Sequence, residues 1–209
     1  KLMGIFAATL ILGSASFAVA GVPDLSLSTA SGPAEACVLY NVPNATGNDF
    51  TQAVAVTGFA DVDATIRLTL VDGLGAAIVN YPLEDMYLES SEGGLVGCSG
   101  GTTADQTTDA TGATLWQAPL AASGATSTYT DLTVVMINGA ALTSNGGLSL
   151  AHNSSDINAD GLVNLSDVTE FAKDFYDVTY NFRSDFAFDL QVNLSDIVPL
   201  AQAMGGACP

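Results

Sequence analysis

Asp156-Ile-Asn-Ala-Asp-Gly-Leu-Val-Asn-Leu-Ser-Asp167 decides how the C-terminal third of this chain is read. Oxygen-bearing side chains stand at positions 1, 3, 5, 9 and 12 of this run, as Asp156, Asn158, Asp160, Asn164 and Asp167. Gly161 takes position 6, where the chain must turn sharply, and Leu162 at position 7 offers its backbone carbonyl. Calcium is a hard cation that takes six to eight oxygens, and a loop of about 12 residues with this spacing wraps around it. The segment Asp185-Phe-Ala-Phe-Asp-Leu-Gln-Val-Asn-Leu-Ser-Asp196 begins 29 residues later and repeats the pattern, with Val-Asn-Leu-Ser-Asp in register.

The copy departs from the first loop at two chemically specific places. Asp185, Asp189, Asn193 and Asp196 keep their oxygens and Gln191 takes position 7, but Ala187 stands where position 3 needs a ligand. Leu190 replaces the glycine of position 6. A non-glycine residue held at positive φ costs on the order of 1–2 kcal/mol. The expectation is calcium bound firmly by loop 1 and weakly, or not at all, by loop 2.

Each loop runs into a helical pattern. Val168, Phe171, Ala172 and Phe175 form one apolar stripe after loop 1, with Ser166 as the expected N-cap and Glu170 in the first turn. Ile197, Val198, Leu200, Ala201 and Met204 form a shorter stripe after loop 2, which tolerates Pro199 near its start and stops at Gly205-Gly206. Two such loop–helix units share a small core, so calcium is expected to supply much of their folding energy.

Upstream the texture is that of short strands. Thr65 to Leu70 alternates apolar and polar and ends near Asp72-Gly73; Thr51–Thr57 and Tyr129–Met136 alternate too. Residues 21–33 read as an extended leader, 34–152 as an antiparallel β-sandwich, and 153–209 as the paired loop–helix unit. The fold class expected is therefore mainly β, followed by a small α-helical module. His152, the only histidine, falls at the junction and is expected to be a linker residue.

Leu70-Val-Asp-Gly-Leu-Gly75, Ile78–Pro82 and Thr108-Asp-Ala-Thr-Gly-Ala113 resemble the turn-and-hairpin motifs of bacterial Ig-like domains. The duplicated loop–helix arrangement over residues 154–207 resembles the dockerin domain, an EF-hand-like module. That resemblance implies calcium at Asp156, Asn158, Asp160, Asn164 and Asp167, and at Asp185, Asp189, Asn193 and Asp196. It also implies a protein partner, a cohesin-like or Ig-like domain, recognised through loop positions 10 and 11. Those positions are Leu165-Ser166 and Leu194-Ser195, identical in the two halves.

Charge and address agree with an exported protein. Against 4 Lys plus Arg stand 22 Asp plus Glu, a formal net charge of −18 that repels phosphates and argues against nucleic-acid binding. Residues 1–20 read as a secretory signal: Lys1, an apolar run from Leu2 to Leu12, and Ala18-Val19-Ala20 before Gly21. The rival reading is a retained apolar segment used in assembly; no stable membrane span is expected. Of three cysteines, Cys37 and Cys98 are the expected disulfide, leaving Cys208 free or bonded to another chain. With one histidine and no nucleophile turn, an enzyme is not expected. The sequence thus points to a secreted, non-catalytic, calcium-binding protein of the bacterial cell surface that attaches to a partner. The alternative is a structural subunit of an extracellular fibre or surface layer, built from contacts between copies of itself.

Overall fold

The computed structural model describes residues 21–209, so the expected signal or apolar segment at 1–20 lies outside the described residues. The β region contains β1 (Thr29–Ser31), β2 (Cys37–Asn41), β3 (Ala53–Ala55), β4 (Asp61–Val62), β5 (Ile66–Thr69) and β6 (Met86–Ser90). It continues with β7 (Val96–Gly97), β8 (Ala113–Trp116), β9 (Ala122–Ser123), β10 (Thr133–Ile137), β11 (Ala140–Ala141) and β12 (Leu150–Ser154). Two α-helices follow, α1 (Leu165–Tyr176) and α2 (Ile197–Ala203). None of the helices described is long and apolar enough to cross a membrane.

The strands form small sheets ordered β1–β5–β8, β11–β10–β6, β12–β2–β3–β4 and β7–β9. In β5 the alternation works as read: Ile66 and Leu68 enter the core while Arg67 and Thr69 face out. In β10, Thr133, Val135 and Ile137 point inward in the same way. Trp116, Phe50, Leu39, Met86 and Leu150 fill the common core with them. Every strand pairing is antiparallel except one. β12 lies parallel to β2, with Leu150 opposite Cys37 and Ser154 opposite Asn41, a departure from the all-antiparallel expectation.

The leader is part of this body. Pro23 bridges to Asp72, and β1 pairs with β5 from Thr29↔Thr69 to Ser31↔Arg67.

His152 is corrected outright. It lies inside β12, fully buried, not in a linker. Its Nδ1 faces Asn41 Nδ2 at 3.2 Å and its Nε2 faces Thr133 Oγ1 at 2.8 Å. Thr133 directs its one hydroxyl proton to the Leu150 carbonyl at 2.6 Å, so Nε2 is the protonated nitrogen and Nδ1 accepts from Asn41. Burial drives the imidazole pKa down to about 3.

The boundary expected after residue 152 therefore cuts through a buried strand. The β region and the helical segment also share packing. Val42, just beyond β2, joins Ile157, Val163, Phe171, Phe186 and Leu200 in one apolar cluster. Phe182 and Phe188 pack on Val38 and Ala151 in another. Asn153 ties the junction, its Nδ2 donating to the carbonyls of Phe182 at 2.7 Å and Asp185 at 3.0 Å.

Candidate metal centre

In loop 1, Asp156 accepts the amides of Asp160 (Oδ1, 3.2 Å) and Gly161 (Oδ2, 2.7 Å). Asp167 closes the other side, accepting from Asn158 (Oδ1, 3.2 Å) and Asn164 (Oδ2, 2.9 Å). In loop 2, Asp185 accepts from Asp189 (3.2 Å) and Leu190 (2.9 Å). Asp196 accepts from Ala187 and Asn193, both at 2.8 Å. The same four amide bonds thus recur at the same loop positions, although the side chains at positions 2 to 7 differ almost throughout. In each loop these bonds tie the amides of positions 5 and 6 to the position-1 carboxylate and those of positions 3 and 9 to the position-12 carboxylate.

The backbone follows the expected turn. Gly161 has φ +86°, and Leu190 adopts the same left-handed region at φ +65°. Position 4 is left-handed as well, Ala159 at +58° and Phe188 at +54°, a conformation that neither residue type announces. Phe188 and Leu190 line the seam between loop 2 and Val38, Val54 and Tyr129 of the β region. Phe188 is buried in this seam, whereas Leu190, which departs from the calcium pattern, borders it and is 45% exposed.

Asn164 does two things. It is position 9 of the loop and the N-cap of α1, its Oδ1 accepting from Ser166 N at 2.7 Å, with Asp167 completing the capping box. The cap therefore stands two residues before the expected Ser166. Pro199 sits in the first turn of α2, as its missing amide permits.

The electrostatics are one-sided. Asp156, Asp167, Asp185 and Asp196 are all buried. The ion pairs among the described residues join Lys173 to Glu170 and Arg183 to Glu170 and Asp174, and none reaches a loop carboxylate. Burial pushes the carboxyls of Asp167, Asp185 and Asp196 above their ordinary range, and neighbouring carboxylates (Asp156 for Asp167, Asp196 for Asp185) push the same way. Among the described residues no group of three or more His, Cys, Asp or Glu side chains is gathered as a metal site. By sequence loop 1 offers three carboxylates, two Asn side chains and a position-7 carbonyl, and loop 2 offers three carboxylates, one Asn and a carbonyl, donor types that suit a hard cation. Each loop-closing carboxylate oxygen that accepts a single amide keeps a lone pair for a cation. The residues present fit calcium on these grounds, better in loop 1 than in loop 2.

Leu165 and Leu194 are largely exposed, at 74% and 69%, and Ser166 and Ser195 are exposed beside them. Between α1 and α2 opens an apolar groove of about 390 Å³, lined by Val168, Phe175, Ile197 and Met204 among others. Trp116, by contrast, is buried with its indole N–H on the Thr102 carbonyl at 3.0 Å.

The expected Cys37–Cys98 disulfide is overturned. Cys98 bonds to Cys208, with Cα atoms 5.4 Å apart. Cys37 starts β2, is fully buried in the core and is a free thiol. Pairing by presumed domain failed because the C-terminal tail returns to the β region. Sequence reasoning also missed Tyr180, whose hydroxyl donates to Asp185 Oδ2 at 2.7 Å, and Arg183, which grips Asp174 through Nε and Nη2 at 2.7 and 2.9 Å. Neither lies at a loop position, so no spacing rule reaches them. No family model, curated protein or solved structure matches this chain.

Proposed function

We propose that this chain is a secreted, non-catalytic, calcium-binding protein whose dockerin-like loop–helix pair mediates attachment to a protein partner at the bacterial cell surface. The observation that carries the reading is the amide cradle at positions 1 and 12, repeated bond for bond in two loops that differ at positions 2, 3, 4, 6 and 7. It leaves four buried carboxylates without a basic partner among the described residues, an arrangement that a divalent cation completes. Asp156, Asn158, Asp160, Asn164 and Asp167, with the Leu162 carbonyl, would hold it in loop 1. Asp185, Asp189, Asn193 and Asp196, with the Gln191 carbonyl, would hold a weaker ion in loop 2. The ion's contribution is charge neutralisation that fixes each loop against its helix.

The β region serves, on this reading, as an Ig-like spacer that carries the module. Leu165-Ser166 and Leu194-Ser195 present equivalent exposed pairs to a cohesin-like or Ig-like domain. The apolar groove between α1 and α2 favours a second reading, in which copies of the chain meet there as subunits of a fibre or surface layer. Calorimetric titration of the full chain with calcium tests the first claim: at least one site is expected, and none with Asp160→Ala would be left of comparable strength. Uptake of no calcium by the wild-type chain would sink it. Imaging and sedimentation with and without chelator separate the two attachments, since only subunits of a fibre polymerise alone.

A further inference from the structure

We propose that the Cys98–Cys208 disulfide is a redox-sensitive latch on loop 1, which when closed holds that loop in its cation-ready shape and when reduced weakens its calcium affinity while sparing loop 2. The inference rests on the calcium reading above. It starts from the path of the C-terminal tail. After α2 the chain turns at Gly205, φ +85°, and lies along positions 6 to 8 of loop 1. Gly205 N donates to the Val163 carbonyl at 2.9 Å, Val163 N to the Gly206 carbonyl at 2.8 Å, and Cys208 N to the Gly161 carbonyl at 2.8 Å. Leu162 and Ala207 form an antiparallel bridge between them. The tail is a short extended segment clasped to the loop-1 turn by one bridge.

The fit is close on both sides. A Cβ on Gly161 would stand 3.3 Å from Cys208 Sγ, and one on Gly206 would stand 3.0 Å from Val42 Cγ1. The disulfide abuts the position-6 glycine and ties it to Cys98, which is anchored in the β region by Cys98 N on the Ala121 carbonyl at 3.0 Å and Gly101 N on the Cys98 carbonyl at 2.8 Å. Loop 2 has a different support: its turn packs on the β region through Phe188, which meets Val38 and Ala151. One loop is fastened by a covalent bond and the other by apolar contact.

Opening the latch needs a dithiol reductant. Its thiolate attacks the sulfur of Cys208, the more exposed of the two residues, and Cys98 leaves as a thiolate that takes up a proton. The second thiol of the reductant resolves the mixed disulfide and frees Cys208 as a thiol; two electrons and two protons pass to the protein, and the reductant ends as its own disulfide. A tail with exposed Ala207 and Pro209 is then held by main-chain bonds alone and frays. The Gly161 carbonyl and Val163 amide lose their partners, and the ion must order the turn itself. Loss of groups that orient a metal's ligands costs roughly 10- to 100-fold in affinity.

The test is calcium titration of the full chain, oxidised and reduced, alongside the Cys98→Ser/Cys208→Ser double variant, with amide exchange followed in calcium-free protein. The expected result is a tighter site weakened at least roughly 10-fold in both reduced protein and variant, an unchanged weaker site, and faster exchange at Val163 and Cys208 with β2 still protected. Equal affinities in the two redox states, with Val163 protection unchanged, overturn the latch and leave the calcium reading standing. Collapse of protection across β2 and β12 on reduction also overturns it, because the bond then serves the whole fold. Absence of calcium uptake by the oxidised chain overturns the calcium reading and the latch together.

Discussion

Tyr180 donates its hydroxyl to Asp185 Oδ2 at 2.7 Å, on the same oxygen that accepts Leu190 N at 2.9 Å. Burial, with the Asp185 charge beside it, keeps that phenol protonated far above the usual tyrosine range. Both lone pairs of the oxygen are therefore engaged. In loop 1 the residue five positions before Asp156 is Ala151, and Asp156 Oδ2 accepts Gly161 N alone among the side-chain contacts resolved. The first carboxylate of loop 1 is thus freer to bind a cation. We predict that Asp160→Ala weakens the tighter calorimetric site by roughly 10-fold or more, whereas Asp189→Ala changes it by less than about 2-fold. Equal effects from the two variants would show that the loops are equivalent.

Loop 2 is repairable at one position. Ala187 is exposed and uses only its backbone, donating its amide to Asp196 Oδ1 at 2.8 Å. An aspartate there meets no packed neighbour and supplies the missing position-3 oxygen. Ala187→Asp is predicted to tighten the weaker site by roughly 10-fold while lowering calcium-free stability slightly, since it adds a fourth carboxylate to a site that already repels its own charges. Calorimetry and thermal unfolding with chelator present measure the two effects. An unchanged weaker site would shift the blame to Leu190 and Tyr180.

The helical stripes, the alternating strands and the two loops were all legible because each depends on local periodicity or spacing. Ile66 and Leu68 read as buried because their neighbours Arg67 and Thr69 are wet. β12 was illegible for the opposite reason: Leu-Ala-His-Asn-Ser is buried at every position, so no alternation marks it. Its polar side chains are inside because Asn153 and His152 have partners from distant segments, Phe182 and Thr133. Nothing local announces such partners. The disulfide failed for the same cause, as Cys98 and Cys208 are 110 residues apart in sequence.

The revised cysteine assignment has a direct chemical consequence. Burial, with Glu35 nearby, pushes the Cys37 thiol up to about 12, so almost no thiolate exists at neutral pH and the group is out of reach of reagents. Native, unreduced protein is predicted to take up no iodoacetamide. Unfolded but unreduced protein takes up one equivalent, at Cys37. A non-reducing peptide map then shows Cys98 linked to Cys208. Alkylation of Cys208 in the unfolded, unreduced chain would restore the pairing of Cys37 with Cys98.

His152 sets an acid limit on the fold. Its pKa lies near 3 when folded, against 6.5 for the ordinary side chain. As pH falls below about 6.5 the unfolded chain takes up the proton first, and the folded chain resists until about pH 3. The stability associated with the neutral ring is therefore complete above that window and is lost progressively through it. Protonation would put an N–H on Nδ1 facing the Asn41 amide donor, and among the described residues the charged neighbour that favours the imidazolium is Asp131. At about 1.4 kcal/mol per pH unit, the loss between pH 6.5 and 5 comes to about 2 kcal/mol. Urea unfolding of wild type and His152→Gln across that interval measures it with the carboxylates common to both. The variant is predicted to be less stable at pH 7, having lost ring packing in the core, but to show a shallower fall with acid. Parallel pH profiles would mean that the ring accepts its proton without unfolding.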